Sequence, residues 1–182
     1  MAKITGILCQ IITGNVSGAG TDGSVYLGLG GREFRLDSSA DDYERGSWRE
    51  YILGLGPLEP DLPPPQIRVN NRDKNDPRLG FPLDTENLGR TPVYIRFEPE
   101  SSGDNWNVHA AAALVYAPNF VVGYVLPFDF DNLWMGQAMG KVLYLTLAFG
   151  ELAPMIRHLG KKQAAPLEQY KPRTKKLKGK RS

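Results

Sequence analysis

The fold is decided by the run Gly18-Ala19-Gly20-Thr21-Asp22-Gly23-Ser24-Val25-Tyr26-Leu27. Its first half is rich in glycine and ends in Thr21-Asp22-Gly23, a composition typical of a turn. From Ser24 onward, Val25, Leu27 and Leu29 occupy every second position, which places their side chains on one face of an extended strand. The run therefore predicts a turn that leads directly into a half-buried β-strand.

Strand-like sequence recurs on both sides of this run. Runs that resemble strands cover residues 4–12, 24–29, 32–36, 48–53, 66–69, 93–97, 108–115, 120–126 and 141–147. They are short, they are separated by turns rich in glycine and proline, and no helical segments alternate with them. This pattern predicts an all-β fold, an antiparallel β-sandwich of about eight strands.

One domain accounts for most of the chain. We expect the sandwich to occupy residues 1–150, with residues 54–91 as a long proline-rich insertion around Pro63-Pro64-Pro65. Residues 151–182 are predicted to form the rest of a short helix and a basic tail. The helix is expected over residues 147–159, where Pro154 interrupts it.

The net charge of +2 conceals a division of charge along the chain. Residues 161–182 contain nine Lys and Arg against Glu168 alone, whereas residues 1–160 contain thirteen against nineteen Asp and Glu. The tail could neutralise lipid headgroups, nucleic-acid phosphates or an acidic protein, or it could be a solvated terminus that aids solubility. Its candidate contact residues are Lys175, Lys176, Lys178, Lys180 and Arg181.

The sequence also bears on the compartment. No run of eighteen apolar residues predicts a transmembrane segment, and Met1-Ala2-Lys3 leads into strand-like sequence without the apolar region of a secretory signal. Cys9 is the single cysteine, which excludes an internal disulfide and suits a reducing compartment. We therefore expect a cytoplasmic protein, with peripheral attachment to a membrane as an addition.

Three segments, in this order and spacing, resemble the PLAT (lipoxygenase-homology) domain family. The first is Thr13-Gly14 followed by the quoted run, with its Gly-Thr-Asp and Val-Tyr pairs. The second is Leu36-Asp37 followed by Asp42-Tyr43-Glu44-Arg45-Gly46-Ser47, and the third is the stretch 94–108, which ends in Trp106-Asn107-Val108. The resemblance covers residues 4–53 and 92–135, and it implies a PLAT-like sandwich.

The resemblance also implies a calcium site. Calcium-binding members of the family supply ligands from positions that correspond here to Gly20, Thr21, Asp22, Asp37, Ser38, Ala40 by its carbonyl, Asp41, Asp42 and Glu98. Independently, acidic loops gathered at one end of a sandwich would offer the oxygen ligands that Ca²⁺ prefers. Gly18, Glu98 and Pro99 depart from the family pattern, which predicts fewer sites or weaker binding. The alternative is that Asp22 and Asp37 only cap turns.

The three tryptophans have two interpretations. Such aromatic side chains belong either to the core of the sandwich or to exposed loop tips that contact a bilayer or a protein. Trp106 begins a strand, so we expect it in the core. Trp48 and Trp134 are candidate interface residues, and Trp134 lies in a segment that resembles a turn.

No residue pattern predicts an active site. His109 and His158 have no nucleophile motif beside them, and Cys9 lies inside a strand pattern, where a small buried side chain is expected. Phosphate-binding glycine loops, paired-cysteine metal motifs and zinc-protease motifs are absent from the sequence. We therefore expect a protein that is not an enzyme.

The function predicted from the sequence is a non-enzymatic PLAT-like binding module. It would mediate protein–protein contact or peripheral attachment to a lipid surface, assisted by Ca²⁺. The main alternative is a structural subunit of a larger assembly, which the insertion and the basic tail would clamp. Nucleic-acid binding rests on the tail alone, and carbohydrate binding would follow if the sandwich were lectin-like.

Overall fold

The computed structural model describes residues 2–54, 65–126, 133–137 and 140–148. Within these ranges the chain forms ten strands, one α-helical turn (α1, Arg72–Asn75) and one 3₁₀ turn (Asn87–Gly89). The strands are β1 (Gly6–Thr13), β2 (Ser24–Leu29), β3 (Arg32–Arg35), β4 (Trp48–Gly54), β5 (Gln66–Arg68), β6 (Val93–Glu98), β7 (Trp106–Ala117), β8 (Phe120–Val125), β9 (Leu133–Met135) and β10 (Val142–Ala148).

The strands follow one hydrogen-bonded path that folds back on itself into two layers. Their order is β3-β2-β6-β10-β8-β7-β1-β4-β5, and β9 pairs with β7. Strand β10 connects the layers, because residues 142–145 pair with β6 whereas residues 146–148 pair with β8. Among the described pairs only β4–β5 is parallel. The predicted all-β antiparallel sandwich is confirmed, with ten strands described where about eight were expected.

The core lies between the two layers and follows the alternation of the strands. In β1, for example, Ile7, Cys9 and Ile11 face inward and are almost fully buried. The largest fully buried side chains include Trp106, Tyr51, Phe34 and Phe97. Burial of each large apolar side chain contributes roughly 1.5–3 kcal/mol to folding. The core positions predicted for Cys9 and Trp106 are confirmed.

Residues 65–91 pack against the sandwich. Val69, Leu83 and Leu88 are buried and belong to the same core as β1 and β2. The amide of Ile4 also donates a hydrogen bond to the carbonyl of Leu83, with a length of 3.0 Å. This part of the predicted insertion is therefore held on the domain, whereas Pro63 and Pro64 lie outside the described residues.

Two predictions at the C-terminal side have different outcomes. Leu147 and Ala148 belong to β10 and pair with β8, so the predicted helix does not begin at residue 147. The remainder of that helix and the basic tail residues lie outside the described residues. No helix in the described ranges has the length and apolar character needed to cross a membrane.

Candidate site at the acidic end of the sandwich

Three loops meet at one end of the sandwich, which we call the acidic end: loops 14–23, 36–47 and 98–105. Thr21 connects them, because it is buried and bonded in three directions. Its hydroxyl donates to Oδ1 of Asp104 over 2.7 Å and accepts a bond from the amide of Gly23 over 2.9 Å. Its own amide donates to the carbonyl of Tyr43 over 3.3 Å. Thr21 thus makes hydrogen bonds to all three loops.

The second loop is folded around the carboxylate of Asp42. The amide of Ser38 donates to Oδ2 of Asp42 over 2.7 Å, and the Ser38 hydroxyl donates to the same carboxylate over 2.9 Å. The guanidinium of Arg49 lies 3.8 Å from Oδ1 of Asp42. Burial nevertheless raises the pKa of Asp42 above its usual range, and the Ser38 bonds and Arg49 offset this only in part.

The third loop contributes a different acid from the one that the resemblance implies. Glu98 ends β6 with an exposed side chain, and its carboxylate accepts a 3.3 Å bond from Arg96. Asp104 instead reaches Thr21, and its Oδ2 accepts a 2.9 Å bond from the amide of Glu100. The alternation of residues 93–98 already places Glu98 on the solvent face beside Arg96. Asp104 carried no comparable signal, because it lies in a loop two residues before β7.

Two cavities open at the acidic end, and Asp22 lines both. The first, of about 150 Å³, lies between the first and second loops and is also lined by Asp37, Asp41 and Asp42. The second, of about 350 Å³, is lined by Asp104 and Glu44 together with the first loop. Of the nine predicted calcium ligands, the first cavity contains Thr21, Asp22, Asp37, Ala40, Asp41 and Asp42 in its wall, and Gly20 lines the second. Ser38 holds Asp42, whereas Glu98 lines neither cavity.

The donor types at this end suit Ca²⁺, but they are not assembled around one point. In the described part of the chain, no group of three or more His, Cys, Asp or Glu side chains is placed to hold a metal ion. Asp42 is bonded to Ser38, and Asp37 faces the guanidinium of Arg35 at 3.9 Å. Carboxylate and carbonyl oxygens are the ligands of Ca²⁺, so a cation held here would draw Asp37 and Asp42 away from these partners.

The candidate interface tryptophans lie in strands. Trp48 begins β4, where it pairs with Ile12, and it is half-buried. Trp134 is the middle residue of β9, pairs with Asn107 of β7 and is also half-buried. The interpretation of this segment as a turn is therefore wrong for residues 133–135. The contact role of both tryptophans stays a prediction.

Neither cavity contains a histidine or cysteine in its wall. His109 lies in β7 and is buried, with 7% of its surface exposed. Cys9 is buried in the core, and burial raises the pKa of its thiol far above the usual range. A thiol in such a place is not a nucleophile at neutral pH.

Comparisons with known proteins found similarity only to solved structures. No protein-family model matches the chain, and no curated protein matches it. The chain is similar to the alpha toxin of Clostridium absonum, with 22% identity and a TM-score of 0.49, over 80% of this chain and 32% of the toxin. For the alpha-toxin of Clostridium perfringens the identity is 20% and the TM-score 0.48, over 79% of this chain and 32% of the toxin.

A lipoxygenase is also among the similar structures. It is the coral 8R-lipoxygenase, described with calcium activation via a C2-like domain, at 17% identity and a TM-score of 0.45. The match covers 79% of this chain and 17% of the lipoxygenase, so the chain spans only a fraction of the length of each of these proteins.

Proposed function

We propose that this chain is a non-enzymatic docking module that attaches to a membrane or protein surface, and that Ca²⁺ bound at the acidic end assists the attachment. The observation that carries the proposal is the position of Asp22, an exposed carboxylate that lines both cavities. Three loops on a rigid sandwich present it, together with the acids of the neighbouring loops. A site with this composition suits cation binding better than it suits chemistry on a substrate.

Electrostatics support a bound cation. The walls of the two cavities contain six acidic side chains, Asp22, Asp37, Asp41, Asp42, Glu44 and Asp104, against Arg35 and Arg45. Carboxylates this close repel one another and also repel an anionic surface. A divalent cation removes both penalties, which supplies a physical link between calcium and attachment.

The composition of the cavity walls supports the non-enzymatic part of the proposal. The walls of both cavities consist of acids, arginines, hydroxyls, backbone and a few apolar side chains. The hydroxyl of Thr21 donates a hydrogen bond to Asp104, and neither wall places a histidine beside it. Asp42 has a raised pKa and lines the first cavity, but its carboxylate is held by Ser38 and Arg49, which leaves it poorly placed to act as a general acid or base.

Calorimetric titration of the full chain with CaCl₂ tests the calcium part. The wild type is expected to release or absorb heat in a saturable way, and Asp22→Ala is expected to bind at least about tenfold more weakly. Asp73→Ala is the matched control, because Asp73 is an exposed acid on α1, outside both cavities. Absence of saturable binding in the wild type, or equal affinity in Asp22→Ala, would contradict the proposal.

Attachment itself is tested by sedimentation with vesicles of phosphatidylcholine and phosphatidylserine, with CaCl₂ or with a chelator. We expect more sedimented protein with CaCl₂, and we expect Asp22→Ala to lose this increment. If Ca²⁺ binds in the titration but does not increase sedimentation, the surface to which the module attaches is a protein. Failure of both experiments would remove calcium from the function.

A further inference from the structure

We infer that Leu79 and Phe81 form a lipid-inserting tip at the end of the sandwich opposite the acidic loops. The tip comprises residues 78–82, between α1 and the 3₁₀ turn. The inference rests on the proposed function of surface attachment and assigns its lipid contact to a place that the acidic loops do not touch.

The tip exposes two large apolar side chains within three residues. Phe81 is 67% exposed and Leu79 is 46% exposed, and Gly80 lies between them. Gly80 has φ +69°, and a Cβ placed on it would meet no atom within 4 Å. Gly80 therefore faces open space in a left-handed conformation, with an exposed apolar side chain on each side. Such exposure is unfavourable in water and becomes favourable when the side chains enter an apolar phase.

The tip is held in place by the guanidinium of Arg32. Its Nη1 donates to the carbonyls of Asp76, Leu79 and Phe81 over 3.3, 2.9 and 3.0 Å. Its Nη2 donates to the carbonyl of Lys74 over 3.3 Å. Backbone carbonyls that already have donors cost less to move towards an apolar phase, and a rigid tip loses little conformational freedom on insertion.

A second contact fixes the start of the tip. The guanidinium of Arg78 forms a bidentate ion pair with Asp76, in which Nη2 and Oδ2 are 2.5 Å apart. The Arg78 amide also donates to Oδ1 of Asp76 over 2.9 Å. The direction of the tip is thus set by bonds on both sides of Leu79.

Charge around the tip suits a membrane interface. On the α1 side of the tip, Arg78 and Asp76 neutralise each other, which leaves the exposed Arg72 and Lys74 against Asp73. Cations beside inserted apolar side chains are attracted to anionic headgroups, and they can reach those headgroups along their aliphatic stems. The acidic end has the opposite charge, so it disfavours the same surface in the absence of a cation.

The two ends are separated by the length of the β2–β3 hairpin. Strand β2 begins at Ser24 beside the acidic loops and ends at Leu29, and β3 returns from Arg32 to Arg35. Five residue steps in a strand span roughly 17 Å, so one side chain cannot serve both ends. Insertion of the tip is therefore independent of Ca²⁺, and the calcium-dependent part of the attachment belongs to the acidic end.

A fluid lipid interface is the occupant that fits this shape. The tip projects and needs no complementary pocket in a lipid phase, whereas a protein partner would have to provide a cavity for both Leu79 and Phe81. Insertion of aromatic and aliphatic side chains flanked by cations is typical of peripheral membrane anchors.

The first test compares sedimentation of full-chain variants with vesicles of pure phosphatidylcholine and with vesicles that also contain phosphatidylserine. Pure phosphatidylcholine separates insertion from electrostatic attraction by the basic tail. The double variant Leu79→Ser, Phe81→Ser is expected to partition roughly tenfold or more weakly into both. Tyr144→Ser is the matched control, because Tyr144 is 62% exposed in β10, outside the tip. Equal partition of the double variant and the wild type overturns the inference.

The second test locates the contact directly. Cys9, the single cysteine, is buried, so Pro82→Cys and Ser102→Cys each introduce one accessible thiol, at the tip and at the acidic end. Each variant is labelled with an environment-sensitive fluorophore and mixed with the same vesicles. A blue shift of the emission at residue 82 alone supports the inference.

Every other pattern overturns it in a recognisable way. A shift at residue 102 alone, or at both residues, shows that the module attaches to lipid through the acidic end, and the proposed function stands. Sedimentation without a shift at either residue assigns the contact to another part of the chain. Absence of sedimentation in the wild type removes lipid altogether, while the calcium titration still tests the acidic end.

Discussion

The hydroxyl of Thr21 donates a 2.7 Å hydrogen bond to Oδ1 of Asp104, and this bond joins two loops that are 83 residues apart in the chain. Thr21 is 6% exposed, so the bond forms largely out of contact with water. The carboxylate of Asp104 also holds the amide of Glu100, which gives the loop before β7 its shape. The acidic end therefore depends on a contact between a residue that the sequence singles out and one that it does not.

Thr21→Val tests the importance of this bond. Valine keeps the shape of threonine but leaves Asp104 without its hydroxyl donor, so we expect a loss of about 1–3 kcal/mol in the free energy of unfolding. Urea denaturation measures the change. Thr146→Val is the control: Thr146 is exposed and its hydroxyl bond to the carbonyl of Val125 is 3.4 Å long, so a change within about 0.5 kcal/mol is expected. Equal effects of the two substitutions would show that the Thr21–Asp104 bond contributes little.

Two carboxylates should affect stability in opposite directions as the pH changes. Burial raises the pKa of Asp42 in the folded state, so the folded chain holds this proton to higher pH than the unfolded chain. Its contribution to stability therefore falls as the pH rises from the unfolded pKa, about 3.9, to the folded pKa. In Asp42→Asn this fall is absent, so the stability of the variant should improve relative to wild type as the pH rises through that window.

Asp76 provides the opposite case. Hydrogen bonds from Arg78 hold the pKa of Asp76 below its usual range. Its contribution is therefore complete above the unfolded pKa and is lost as the pH falls through the folded pKa. Asp76→Asn should lose stability relative to wild type near neutral pH, and the difference should shrink in acid. Urea denaturation of both variants over a pH series checks the signs, and parallel pH curves for either variant and the wild type would contradict this assignment.

Local pattern was enough to predict strands that have one face in the core. Residues 24–29 form β2 as predicted, and residues 93–97 differ from β6 only by Glu98. In both strands the inward positions are occupied by Val, Leu, Ile or Phe, so that a shift by one residue would expose all of them. Strand β9 could not be predicted in this way, because three residues are too few to show alternation and Trp106↔Met135 pairing is a long-range contact.

The acidic end shows the same division between local and long-range information. The sequence predicts that Asp22, Asp37, Asp41 and Asp42 lie in loops at strand ends, and the structure brings them to one cavity. It does not predict that the carboxylate of Asp42 accepts hydrogen bonds from Ser38 or that Asp104 accepts one from Thr21. These contacts depend on the conformation that each loop adopts. Composition thus indicates the kind of site, whereas tertiary packing determines which of its carboxylates are already hydrogen-bonded.

Gly14 is constrained by a close contact with Asn107. A Cβ on Gly14 would lie 1.7 Å from Oδ1 of Asn107, whose side chain is fully buried. Gly14→Ala must therefore displace Asn107 in β7, and we expect a loss of about 1–3 kcal/mol in the free energy of unfolding. Gly103→Ala is the control, because a Cβ there meets no atom within 4 Å and lies at the same end of the sandwich. Thermal and urea denaturation of both variants compare them, and a neutral Gly14→Ala would show that Asn107 has room to move.

Arg32→Lys should loosen the tip. Nη1 of Arg32 reaches three carbonyls between residues 76 and 81 and Nη2 reaches that of Lys74, and the single nitrogen of a lysine cannot occupy both positions. We expect faster amide hydrogen exchange in residues 74–83 and a global loss of about 1–2 kcal/mol. Hydrogen exchange followed by mass spectrometry separates the local effect from the global one.

Arg90→Lys is the matched control for this prediction. Arg90 is exposed, and its ion pair with Glu86, at 3.1 Å, spans one helical turn. Such pairs contribute less than about 0.5 kcal/mol, and a lysine can replace the arginine in them. Exchange in residues 74–83 should therefore match the wild type in Arg90→Lys and exceed it in Arg32→Lys. Equal exchange rates in the two variants would contradict the prediction. In that case the Asp76–Arg78 pair and the turns of the segment hold the tip, and Arg32 only binds carbonyls that water would otherwise reach.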